Sequence, residues 1–158
     1  MKLSELVIKK AVVCTLQSQT RDDVIRELVG ALLASGAADA ALGDELVKKV
    51  LDREIMSSTG FGRGVAVPHV KHASVDRLVA AVGLSPSGVD FNALDKQPVY
   101  SIFLLLSPLN RPEEHLQAME TIFKNLRKDT FRRFLRQATT PDDVMTLMQE
   151  ADDQLLAG

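Results

Sequence analysis

Apolar and polar positions follow two different rhythms along this chain, and the changes of rhythm mark its elements. After a short amphipathic opening, the run Ala11-Val12-Val13-Cys14 predicts a strand over Val12–Thr15. Val24, Ile25, Leu28 and Leu32 then recur at the spacing of one helix face. Thr20 is the N-cap of that helix, Asp22 and Asp23 fall in the first turn, where carboxylates suit the helix dipole, and Gly36 ends it. A second helix is predicted over Leu42–Asp52, with Leu46, Val47, Val50 and Leu51 on its apolar face.

The rhythm breaks at SSTGFGRGVAVPHVKH. Gly60, Gly62 and Gly64 at every second position cannot make a comfortable helix. Val65-Ala66-Val67 reads as a short buried strand stopped by Pro68, with His69 in the loop beyond it. Leu78–Leu84 predicts another strand, followed by the turn-rich stretches SPSG and DFNALDKQP. Tyr100–Leu106 is the clearest strand, halted by Ser107-Pro108. The last third reads as helical. One helix starts at Pro112-Glu113-Glu114 and runs to about Arg127, with Leu116, Met119, Ile122, Phe123 and Leu126 as its apolar face. A short helix covers Phe131–Gln137, and Thr140-Pro141-Asp142-Asp143 caps a final one. Strands interleaved with helices predict an α/β or α+β sandwich. No repeat or linker divides the chain, so a single domain over 1–158 is expected.

Composition adds mostly exclusions. Hydrophobic residues make up 46% and charged residues 25%, an ordinary globular balance. Trp is absent and aromatics are only 4%, so the core is aliphatic and a base-stacking platform is disfavoured. A net charge of -2 gives no global bias toward nucleic acid, and no nucleic-acid partner is expected. Cys14 is the only cysteine, which rules out an internal disulfide and suits a reducing, cytoplasmic setting. MKLSELVIKK lacks an apolar signal core, and no apolar run approaches the ~20 residues that span a bilayer, so direct membrane insertion is not expected. Lys124, Arg127, Lys128, Arg132, Arg133 and Arg136, opposed only by Asp129, read as a solvated face balanced by the acidic tail from Asp142 to Asp153.

The candidate chemistry gathers around histidine. There are three: His69, His72 and His115. His69 leaves a buried strand through a proline that stiffens the exit, and the upstream glycines let backbone N–H groups approach an anion closely. Ser58 and Thr59 add hydroxyl donors. Imidazole is a nucleophile near neutral pH and can hold a phosphoryl group on one nitrogen while a hydrogen bond orients the other. A zinc reading of the three histidines lacks a carboxylate or thiolate at a recognisable spacing, and His72 reads as a solvated loop residue. The Gly-x-Gly-x-Gly run is neither a dinucleotide fingerprint nor a P-loop.

The string DREIMSSTGFGRGVAVPHV resembles the signature of the fructose, mannitol and nitrogen-regulatory IIA family of the bacterial phosphotransferase system (PTS EIIA type 2). Arg53-Glu54, Ser58-Thr59-Gly60 and Gly64-Val65-Ala66-Val67-Pro68-His69 carry the resemblance. FLLLSP followed by Glu114-His115-Leu116 at a helix start extends it. The resemblance implies a mixed parallel/antiparallel β-sheet flanked by α-helices. It implies His69 as phosphoryl acceptor and donor through Nε2, His115 beside it, and Arg53 as a counter-charge; the hydroxyls of Ser58 and Thr59 are candidates for stabilising the phosphate. No metal and no cofactor are implied. In one departure, Val70 stands where the family usually has a small residue; its β-branched side chain adds bulk beside the imidazole and resists φ > 0, so either the backbone is extended here or the docking face for the phosphocarrier differs.

The implied partners are an HPr- or NPr-type phosphocarrier and either a IIB component or a regulatory target. No attached IIB or IIC domain accompanies the sequence, which leans toward the nitrogen or metabolic regulatory branch. The alternatives are a sugar-transport IIA serving a fructose/mannitol-type permease and a non-phosphorylated interaction module of the same fold. With no exposed apolar stripe in the sequence, a monomer or weak dimer is expected.

Overall fold

A computed structural model describes residues 1–156, so the last two positions of the expected 1–158 domain lie outside the described residues. The chain forms α1 (Leu3–Leu6), β1 (Val7–Val13), α2 (Arg21–Ala34), a 3-10 turn (Ala40–Leu42) and α3 (Gly43–Met56). These are followed by β2 (Val65–Ala66), β3 (His69–His72), β4 (Val79–Val89), β5 (Val99–Pro108), α4 (Pro112–Leu126), α5 (Asp129–Gln137) and α6 (Pro141–Asp152). The five strands make one mixed sheet. β1 lies parallel to β4, β4 antiparallel to β5, and β2 and β3 both run parallel to β5.

Both faces of the sheet are covered. Phe103 and Leu105 of β5 join the core under α1, α4, α5 and α6, whereas Ile102, Leu104 and Leu106 join the core under α2 and α3. The period-2 alternation of a strand divides one apolar run between two cores. The expected α/β sandwich with a mixed sheet is therefore present. Helix starts follow the expected chemistry. Thr20 accepts from Asp23 N, and Thr140 with Asp143 forms a reciprocal capping box at α6.

Several boundaries differ from expectation, each for a physical reason. β1 begins five residues before Val12 and includes the exposed pair Lys9-Lys10. It is an edge strand, where lysines are tolerated on the solvent side, and its register with β4 shifts between Val7 and Val12. β4 continues through Ser85-Pro86-Ser87-Gly88, read above as a turn, because the register shift between Leu84 and Val89 accommodates the proline. β5 also runs on through Ser107-Pro108. α3 extends to Met56 and so carries Arg53 and Glu54.

The change that matters most for chemistry is at His69–His72, expected as loop and found as β3. β2 and β3 form one edge line along β5 that is interrupted at Val67-Pro68. Val65 pairs with Ser101, His69 with Leu105 and His72 with Pro108, and Pro68 O still accepts from Leu105 N. The strand continues because Pro68 loses only a donor, and an edge strand has one side on which no donor is needed.

Candidate active site

His69 is half-buried at this sheet edge, and its backbone fixes its ring. Its Nδ1 lies 2.8 Å from the Val67 carbonyl oxygen. A carbonyl can only accept, so Nδ1 carries the proton and the Nε2 lone pair of the neutral ring is free. Burial lowers the His69 pKa from the ordinary 6.5; the Val67 bond opposes this, and the charges of Arg53 and Lys71 add to the lowering. The neutral, nucleophilic ring is the form favoured near pH 7.

His115 enters from the first turn of α4 and is buried, with its ring centroid 5.4 Å from that of His69. Its Nδ1 is 2.7 Å from the Ser107 hydroxyl at the end of β5. Burial, then the neighbouring His69 and Lys71, lower its pKa to about 4. Two neutral imidazoles therefore face each other across the gap between β3 and α4. The pairing of His69 with Leu105 and the short loop from Pro108 to Pro112 bring them together.

Arg53 sits in the last turn of α3 and donates from Nη1 to the Ser57 carbonyl at 2.8 Å. Its charge reaches both His69 and Glu54. Thr59 is buried against Glu54: its backbone N–H and its hydroxyl both donate to that carboxylate, the N–H at 3.1 Å to Oε2. Burial raises the Glu54 pKa, opposed by the two Thr59 bonds and then by Arg21 and Arg53. Ser58 Oγ accepts from Gly60 N at 3.0 Å. So Arg53 contributes charge to the His69 environment, while Ser58 and Thr59 make bonds that hold their own loop.

That loop is braced further. Thr59 O accepts from Val67 N, and Phe61 packs edge-to-face on Phe123 of α4 with centroids 4.9 Å apart. At Gly60 an added Cβ would stand 2.9 Å from the Ala93 side chain. The glycine there serves close packing as much as loop freedom.

Two sequence readings need correction. His72 is buried, not a solvated loop residue. Its Nδ1 accepts from Ser74 N and its Nε2 lies 3.0 Å from a Glu45 carboxylate oxygen, so both nitrogens are engaged. Val70 lies in extended strand, one of the two outcomes expected for it, but packs with the core under α2 and α3, on the face of β3 opposite His69. Its bulk is not beside the imidazole. The sequence reading also missed the Val67 carbonyl and Ser107 as partners.

The profile of the phosphoenolpyruvate-dependent sugar phosphotransferase system, EIIA 2, matches residues 5–151. The chain belongs to this family. EIIA proteins carry phosphoryl groups between components of that system. The chain is 33% identical over 154 residues to the fructose-specific EIIABC component of Bacillus subtilis, covering 96% of this chain but only 24% of that longer protein. It is 30% identical over 138 residues to a nitrogen regulatory protein of Bradyrhizobium diazoefficiens, covering 86% of this chain and 87% of that one. Its fold matches the nitrogen regulatory protein IIA-Ntr of Neisseria meningitidis with a TM-score of 0.83 at 25% identity, over 92% of this chain and 98% of the other. Among the described residues, no helix of this EIIA protein is long and apolar enough to cross a membrane.

Proposed function

We propose that this EIIA protein accepts a phosphoryl group on His69 Nε2 from an HPr- or NPr-type phosphocarrier in the cytoplasm. The observation that carries the reading is the Nδ1–Val67 bond, which leaves Nε2 as the nucleophile. In the transfer, the N–P bond on the carrier's histidine breaks as the Nε2–P bond forms in line, and the carrier's imidazole leaves. Such a transfer needs placement and charge compensation more than covalent help. Arg53 supplies the compensation, and a guanidinium can grip two phosphoryl oxygens at once. His115, held by Ser107, lines the same gap and offers Nε2 to the phosphoryl group. No metal or cofactor enters the step.

The output we favour is regulatory, with the phosphorylation state of His69 controlling binding to a target protein. The match over 86% of this chain and 87% of a nitrogen regulatory protein supports it. The second reading, delivery of the group to a IIB component of a fructose-type permease, is supported by the match across nearly the whole chain to a fructose-specific component.

The test is incubation with phosphoenolpyruvate, enzyme I and HPr. The expected product is an acid-labile, base-stable phosphate on the wild type and none on His69→Ala. Equal labelling of the two proteins would end the proposal. Adding a fructose-type IIB domain separates the outputs, since rapid loss of label to IIB would favour transport.

A further inference from the structure

The basic stretch of α4 and α5 is not absorbed by the site at His69. Arg63, Asp129, Arg132, Arg133, Arg136 and Gln137 line a cavity of about 470 Å³. It lies toward the opposite end of β5 from His69: Arg136 stacks on Tyr100 near the strand's start, whereas His69 pairs with Leu105. The acidic tail read above as the balancing charge is used elsewhere. Asp142 pairs with Lys9, Asp143 caps α6 through Thr139 and Thr140, and Asp152 holds Leu3 and Ser4. Among the described residues, Asp129 is the one carboxylate that forms an ion pair with the lining arginines, and it does so with Arg132. Asp95 is also near, but its carboxylate accepts from the backbone N–H groups of Arg63 and Gln97.

Three of the four guanidiniums are held in place. Arg132 Nη1 donates to the Leu126 carbonyl at 2.6 Å, at the end of α4. The Arg136 guanidinium lies 3.8 Å from the centroid of the Tyr100 ring, a cation–π contact that leaves its edge free to donate. Arg63 projects from the glycine loop at φ 61° and reaches toward the Arg127 carbonyl at 3.5 Å. Four arginines against one aspartate, arranged around a concavity in a protein of net charge -2, concentrate a local positive field. Arg132 is engaged by Leu126 and Asp129, so the planar forks offered to adjacent phosphates are those of Arg63, Arg133 and Arg136.

We propose that this cavity binds a small polyphosphorylated metabolite, of the class of a nucleoside diphosphate or a sugar bisphosphate. The volume falls within the range of small-molecule sites. A concave site favours a compact ligand over a polymer, and the net negative charge of the whole protein disfavours long polyanions. Such a ligand would bridge the Gly62–Gly64 loop to α5.

The test uses pyrophosphate as probe, with calorimetry on the intact chain and backbone amide spectra. Pyrophosphate should bind once, about tenfold or more tighter than inorganic phosphate, since two phosphates engage two forks. Amide shifts should centre on residues 62–64 and 129–137. The double variant Arg63→Gln/Arg133→Gln should weaken binding about tenfold or more. Both side chains are exposed, and unchanged thermal unfolding would confirm that the variant folds. His69→Ala should bind pyrophosphate as the wild type does, which separates this site from the proposed phosphoryl chemistry. Unaltered binding in the double variant, shifts centred on His69, or tighter binding of polyglutamate than of pyrophosphate would each overturn the assignment.

Discussion

The two nitrogens of His69 are unequal because the chain places a carbonyl two residues back within reach of one of them. This makes a testable statement about pH. The His69 pKa lies below the ordinary 6.5, so the acceptor form persists through neutral pH. Phosphoryl acceptance should be lost on acidification as Nε2 takes a proton, with the midpoint below pH 6.5. A rate profile measured with prephosphorylated HPr checks it, and a midpoint above 6.5 would contradict the burial argument. Stability follows from the same groups. His115 binds its proton at about pH 4 when folded and near 6.5 when unfolded. Between those values the unfolded state holds more protons, so stability is lost as pH falls from 6.5 toward 4. His115→Asn should make the thermal midpoint less sensitive to pH across that window. It should also slow transfer to His69 while leaving the fold intact, as stopped-flow transfer and circular dichroism would show.

Single elements carry the next predictions. The Glu54–Thr59 latch joins the end of α3 to the loop leading to β2. Thr59→Val keeps the volume and removes the hydroxyl that donates to a buried carboxylate. The expected cost is about 1–3 kcal/mol in urea unfolding. Thr140→Ala removes one half of the capping box at α6 and should cost about 1 kcal/mol. Helices were the most legible elements in the sequence because their caps and apolar faces are local: Thr20, Thr140 and the stripe from Val24 to Leu32 declare themselves. Strand extents were less legible. Lys9-Lys10 break the alternation that would have revealed β1, and Pro86 breaks β4, yet edge position and a register shift tolerate them. Whether His69 lies in loop or strand depended on pairing with Leu105, thirty-six residues away, which no local pattern encodes. For the same reason Ser107 could not be read as a partner of His115, nor Glu45 of His72. The proximity of His69 and His115 was legible only through the family pattern.

At the scale of the whole molecule, the sheet separates two apolar cores but also fastens them together. Phe103 and Leu105 project into one, Leu104 and Leu106 into the other, and all four are fully buried on the same strand. Loss of either core would expose one face of β5 and remove the support for its pairing with β4 and β3. The expected consequence is one cooperative unfolding transition for the chain, despite the two clusters. Phe103→Ala and Leu104→Ala probe this from opposite faces. Each leaves a cavity in a close-packed interior: Phe103→Ala should cost about 3–5 kcal/mol and Leu104→Ala about 2–5 kcal/mol. If the cores are joined through β5, both variants lower one common midpoint, and far-ultraviolet dichroism and Tyr100 fluorescence shift together. A variant that unfolded in two steps, with α2 and α3 lost separately from α4 to α6, would show that the sheet does not couple its faces. The proposed site at His69 depends on that coupling, because Arg53 comes from α3 on one face and His115 from α4 on the other. A chain that unfolded by halves would separate Arg53 from His115 before the strand of His69 was lost.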